Sequence, residues 1–246
     1  MAYKVLTVVV QSNAMEVLYF APAGKNAGDG PHPGLVLCQH IPVAHTGIEN
    51  DPVTLKMAER YCENGYAVAV PFFFHWWSKA GDVEMKRKAL RDDWTRMDLD
   101  AAFGLLASQP GVNRRRIGIV GHCWGGRISW LGAATNKAYR ACAIFYGGRV
   151  KETMGPGTPP AIDRAVDIKC PVMGFFGNED TNPSPADVND YDQALTKAGV
   201  EHVFHRYDGA GHGFQTFSMP ERYREKQSED AWTKVLEFFA AKLKRP

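Results

Sequence analysis

No apolar run in this 246-residue chain approaches the roughly 18–20 residues that a bilayer span needs, so no transmembrane helix is expected. The opening segment, MAYKVLTVVVQSNAMEV, has too short an apolar stretch for a signal h-region and no small-residue cleavage site. It reads as a strand. Neither sign of charge dominates: 29 Lys and Arg face 27 Asp and Glu, a formal charge of +2. That balance removes the electrostatic case for a nucleic-acid partner or an anionic membrane surface. The Lys242, Lys244, Arg245 cluster reads as the solvated end of a helix, where cations suit the dipole. There is no internal repeat, no low-complexity tract and no CxxC pair. Neither G-x-G-x-x-G nor a Walker loop occurs, so a nucleotide site has no support. The five cysteines, Cys38, Cys62, Cys123, Cys142 and Cys170, are odd in number, and reduced thiols in a cytoplasmic protein are the plain reading.

What is present fits one α/β domain over residues 1–246, with 45% hydrophobic residues for its core. Lys4 to Val10 and Met15 to Phe20 pattern as an edge hairpin. AGKNAGDGPHPG reads as an exposed loop, and GLVLCQ (34–39) as a strand buried on both faces. Asp51-Pro52 supplies an N-cap with Pro at the first helical position, and Gly65 closes that helix. YAVAVPFF is a second buried strand. A helix is expected over Asp92 to Ser108, with Trp94, Met97, Ala101 and Leu105 on its buried face. RIGIVG, ACAIFY and CPVMGFFG are further strands. A helix from Ser184 or Asp187 to Ala198, a strand near Val203 to Tyr207 and a helix from Ser228 to Leu243 complete the chain. Strands alternating with helices define a mostly parallel sheet covered on both faces, with ligands at the strand C-termini. Trp77 to Arg91 and Gly147 to Ile168 are candidate lid segments, each too short for a separate domain.

Residues 121–126 read Gly-His-Cys-Trp-Gly-Gly between a predicted strand and a predicted helix. This is the nucleophile-elbow pattern with cysteine at its centre. The glycines admit the close backbone approach of so sharp a turn. Cys123 then sits at a helix N-terminus, where free N–H groups favour the thiolate. The Trp124 amide faces a developing oxyanion, with a second donor near Ile41 after the earlier buried strand. Partners should follow in the order acid, then base. Asp180 in GNEDTNPSP and His212 in YDGAGHGF meet that order, each just past a strand, while Glu179 and, more weakly, Asp208 are rival acids. His202 and His205, three apart on a strand, face opposite sides and are read as structural rather than as metal ligands. His32 and His45 fall in loops, His122 packs beneath the elbow, and Arg127 is placed to tie the elbow to a nearby carboxylate.

The segments RIGIVGHCWGGR, ACAIFYGG, PVMGFFGNEDTNPSP and YDGAGHGF, with LVLCQHI and YAVAVP before them, resemble the dienelactone hydrolase family of α/β-hydrolases. The resemblance runs from Gly34 through nearly the whole remaining chain. It implies the α/β-hydrolase fold without a large cap domain, no cofactor, and a Cys-His-Asp triad at Cys123, His212 and Asp180. The partner it implies is a small-molecule ester or lactone. The protein itself is expected to be a monomer or small homo-oligomer.

Three departures from the family bear on substrate. Where the family carries a glutamate after LVLCQ, this chain reads Gln39-His40-Ile41. Trp76 aligns with an arginine that grips the substrate carboxylate, and a second such arginine is missing from His212-Gly-Phe-Gln-Thr216. His40, Phe74, His75, Trp76 and Trp77 are therefore the expected pocket residues, with an apolar or aromatic substrate favoured over an anionic lactone. The competing reading is a binding or regulatory protein that kept the fold and lost turnover.

Overall fold

The computed structural model describes residues 3–22 and 29–244. Its strands are β1 (Lys4–Val10), β2 (Asn13–Phe20), β3 (His32–Cys38), β4 (Ala67–Pro71), β5 (Val112–His122), β6 (Cys142–Phe145), β7 (Val172–Gly177) and β8 (His202–Tyr207). They form one sheet in the order β1-β2-β4-β3-β5-β6-β7-β8. The β1–β2 hairpin and the β2–β4 pair are antiparallel, and every pair from β4 to β8 is parallel. The central strands are apolar throughout because helices cover both of their faces. β1 lies at the edge, with Val5 and Val9 exposed. Within the Gly/Pro-rich stretch, residues 23–28 lie outside the described residues. His32 is not a loop residue but opens β3, half-buried.

Short helix α1 (Val43–Thr46) follows β3, then come α2 (Pro52–Glu63), α3 (Val83–Lys88), α4 (Asp92–Ala107), α5 (Trp124–Thr135), α6 (Pro185–Lys197) and α7 (Glu225–Phe239). The Asp51 side chain accepts from the Thr54 amide with Pro52 at the first turn, as the sequence requires of an N-cap. Gly65 follows that helix at φ +79°. Ser184 and Asp187 form a reciprocal capping box at the start of α6. α7 begins three residues before the expected Ser228, and a π-helical turn (Ala240–Lys244) carries it on to Leu243. α2 and α7 share one face of the sheet, where Tyr61 packs on Trp232 and Phe239. α4 and α5 cover the other face.

One helical face differs from expectation. The buried side of α4 is Thr95, Asp98, Leu99, Ala102 and Leu106, one position on from Trp94, Met97, Ala101 and Leu105. Periodicity reads apolar residues only, and here a carboxylate turns inward. Asp98 is 1% exposed and accepts from His75 Nε2 at 2.8 Å and Trp76 Nε1 at 3.0 Å, and those bonds offset its desolvation. Trp94 stays at the margin, stacked on Trp76 at 4.6 Å. The candidate lid segments are small: α3 lies in the first, and a 3₁₀ stretch (Ala161–Asp167) lies in the second. Among the described residues, no helix is long and apolar enough to cross a membrane.

Candidate active site

β5 ends at His122, and α5 begins at Trp124, so Cys123 alone makes the turn. Its φ of 58° and ψ of −124° are strained for a residue with a Cβ. Crowding dictates the flanking glycines. A Cβ on Gly121 would lie 2.0 Å from the Gly125 carbonyl oxygen, and one on Gly125 would lie 2.1 Å from that of Cys38. The turn lifts the Cys123 thiol out of the core while the other four cysteines stay buried.

β7 and β8 deliver the other two groups. A Cβ on Gly177 would meet the Ala210 carbonyl oxygen at 2.1 Å, so the end of β7 packs directly on the loop after β8. The Glu179 amide also donates to Ala210 O at 2.9 Å. This contact brings Asp180 and His212 together. His212 Nδ1 lies 2.9 Å from Asp180 Oδ2, and His212 Nε2 lies 3.1 Å from Cys123 Sγ. Asp180 is buried, its Oδ1 accepting from the Asn182 amide at 2.8 Å. The rival acids do not compete: Glu179 is exposed, and Asp208 accepts from Asn178 instead.

Electrostatics follow from this line of three groups. Burial alone would raise the Cys123 thiol. The hydrogen bond and charge of His212 outweigh it, helped by the charge of His40 and the Trp124 amide, and the net shift is downward. Burial would lower His212, yet its bonds to Asp180 and Cys123 raise it to about 10. Both shifts favour a thiolate–imidazolium pair.

The cleft above the thiol encloses about 410 Å³, and Ile41 and Trp124 are in its wall. The expected aromatic pocket is not there. None of His40, Phe74, His75, Trp76 and Trp77 lines this cleft. Phe74 is fully buried against Trp124, and the His75 side chain is 2% exposed on Asp98. Trp76 and Trp77 pack on Trp94, and His40 Nε2 meets Asp51 Oδ2 at 3.0 Å. Aromatics just past a strand end turned inward because α4 offers them a buried carboxylate and a stacking partner.

Arginines stand at the rim instead: Arg87 from α3, Arg149 from the turn after β6, and Arg222 from the loop after His212. Arg149 has a φ of 60°, held by its carbonyl, which accepts from buried Arg127 Nε at 3.0 Å. Arg127 also donates to Asp92 at 2.5 and 2.9 Å and to the Glu152 carbonyl at 3.0 Å. The elbow-to-carboxylate tie read from the sequence is thus present, and it also shapes the rim. Arginines at such scattered positions carry no motif that the sequence alone singles out. His122 packs under the elbow on Phe145, and His205 stacks on Phe175. His202 bonds Asp192. Among the described residues, no group of three or more His, Cys, Asp or Glu could hold a metal.

A parallel sheet, a strained strand–turn–helix bearing a nucleophilic side chain, and a His–carboxylate pair arriving from later strands together define the α/β-hydrolase class. Within it, the dienelactone hydrolase family profile matches residues 18–243, and the chain belongs to that family of ester and lactone hydrolases. A candidate carboxymethylenebutenolidase of Synechocystis sp. is 31% identical over 227 residues, covering 87% of this chain and 88% of that protein. One from Salmonella typhimurium is 30% identical over 237 residues, covering 94% and 84%. The crystal structure of a candidate dienelactone hydrolase from Klebsiella pneumoniae superposes with a TM-score of 0.84 at 29% identity, covering 97% of this chain and 98% of that one.

Proposed function

We propose that the protein hydrolyses a small ester or lactone by acyl transfer through Cys123, with His212 as base and Asp180 orienting it. The carrying observation is that His212 reaches both the thiol and the carboxylate at hydrogen-bond distance. The Cys123 thiolate attacks the carbonyl, and the Trp124 and Ile41 amides hold the oxyanion. His212 then delivers water to the thioester. Thiolate is a better leaving group than alkoxide, so the tetrahedral intermediate goes forward only when the substrate's own leaving group is good. Enol esters, aryl esters and strained lactones meet that condition. No step calls for a cofactor. Five unpaired thiols fit action in the cytoplasm.

The arginine rim favours a substrate carrying a carboxylate, because a carboxylate desolvated without a cation costs several kcal/mol. Arg149 is partnered by Glu152 and Arg87 by Glu84, while Arg222 has no carboxylate partner among the described residues. The relatives' name, carboxymethylenebutenolidase, denotes a lactone of that chemistry. Two esters of equal leaving-group pKa, one with and one without a carboxylate, test the reading. The anion should be the better substrate, and Arg222→Gln should erase its advantage. Rapid quenching and intact-mass measurement should trap an acyl adduct on wild type and none on Cys123→Ala. Undiminished turnover by that variant would overturn the assignment.

A further inference from the structure

Beneath the elbow, three polar side chains are shut off from solvent: Gln39, His122 and Gln215 are 1%, 4% and 2% exposed. Gln39 Nε2 and Oε1, His122 Nε2 and Gln215 Oε1 have no hydrogen-bond partner among the described residues. They are neighbours. In the parallel β3–β5 ladder Cys38 pairs with Gly121, and one step further places Gln39 beside His122. Cys38 bonds toward Ser129 of α5, so Gln39 faces the opposite side of the sheet, under α2 and α7. Gln215 comes from that side, its Nε2 at 3.5 Å from the Ser228 carbonyl of α7. It approaches His122 closely enough for a hydrogen-bonding influence that raises the imidazole slightly against burial, but His122 Nε2 and Gln215 Oε1 reach no partner with full hydrogen-bond geometry.

The His122 ring is packed in a stack that spans four strands. It stacks on Phe145 at 4.5 Å, Phe145 stacks on Phe175 at 4.4 Å, and Phe175 stacks on His205 at 5.4 Å, one ring from each of β5 to β8. Burial lowers His122 to about 3, so the imidazole is neutral at working pH. A buried donor or acceptor left without a partner destabilises the fold. The group offers both donors and acceptors with no net charge, so a bound ion would satisfy only half of it. A water, which makes about three such bonds in protein interiors, satisfies both kinds.

We propose that Gln39, His122 and Gln215 enclose a buried water site that braces the catalytic segments against one another. Each side chain belongs to a different one. Gln39 is two residues before Ile41, His122 is one before Cys123, and Gln215 is three after His212. A cavity of about 290 Å³ between α2 and α7, lined by Gln215 and Ser228 among others, gives solvent an exchange route from the side away from the cleft. The three residues are positioning residues and touch no substrate. Their role rests on the catalytic reading above, while the water itself does not.

The experiment compares wild type with the Gln39→Leu/Gln215→Leu double variant, and with Gln215→Met alone should the double variant not fold. Magnetic relaxation dispersion of water counts long-lived internal waters without reference to activity. The variant should lose at least one. The iodoacetamide rate at Cys123 and kcat should each fall about tenfold, as a small displacement of the reacting groups would cause, with KM changed less than about twofold. Undiminished dispersion would remove the site, and loss of water with kcat and alkylation unchanged would remove its positioning role. Wild type still active after Cys123 alkylation would instead refute the catalytic reading and leave the dispersion result standing.

Discussion

Cys123 and His212 hold a proton between them, and the rest of the thiols show how unusual that is. Burial pushes Cys62 and Cys170 up to about 12, and raises Cys38 and Cys142 strongly as well. Cys123 alone is shifted down. Iodoacetamide should therefore modify Cys123 first at neutral pH, with activity lost in step, as peptide mapping would record. The labelling midpoint should rise in His212→Gln, which removes the strongest lowering influences. On the proposed mechanism kcat/KM falls as pH drops through the lowered Cys123 pKa, because the thiolate is then protonated. It falls again as pH rises through about 10, where His212 loses the proton that a departing group takes up. Asp180→Asn should cut kcat by about 10²- to 10⁴-fold with the fold intact. Glu179→Gln, at an exposed position, should leave both kcat and the fold unchanged. A larger loss from Glu179→Gln than from Asp180→Asn would reverse the choice of acid.

At the level of elements, α5 is fixed at its N-terminus by two constraints of different kinds. Steric exclusion fixes Gly125, whose missing Cβ lets the Cys38 carbonyl approach. Gly125→Ala should destabilise by at least the 1–3 kcal/mol typical of overpacking, read as a lower urea midpoint. Charge fixes Arg127, which is 1% exposed and bidentate to Asp92 at the start of α4. Asp92→Ala leaves a buried guanidinium uncompensated, which costs about 3–5 kcal/mol. It should also release Arg149 from its left-handed backbone and so weaken hydrolysis of an anionic ester more than that of a neutral one. Equal effects on both substrates would mean that Arg127 serves stability alone.

For the molecule as a whole, the balanced charge of +2 conceals a local field, since three arginines gather at one cleft. Salt should lower kcat/KM for a carboxylate-bearing ester between low and about 0.5 M ionic strength, and leave a neutral ester nearly unchanged, because screening acts only on the charged encounter. The hairpin, the parallel strands, their helices and the Cys123–Asp180–His212 line were legible in the chain because each rests on local signals: apolar period, capping residues, and glycines flanking a reactive side chain. The pocket was not legible. His75 and Trp76 look available from their place after β4, and only the third dimension reveals Asp98 drawing them inward. Arg87, Arg149 and Arg222 come from three separate loops or short helices, and no spacing in the chain announces that they converge.

Because Cys123, Asp180 and His212 all follow the C-terminal ends of their strands, the proposed site lies at one rim of the sheet and the strands' N-terminal ends form the other. Gly199 marks it, in the turn between α6 and the start of β8, exposed, at φ +69° and with nothing within 4 Å of where a Cβ would stand. A flexible tether inserted there and fixed to a bead or a partner enzyme would present the cleft outward. The immobilised hydrolase should then turn over small esters at close to its free rate.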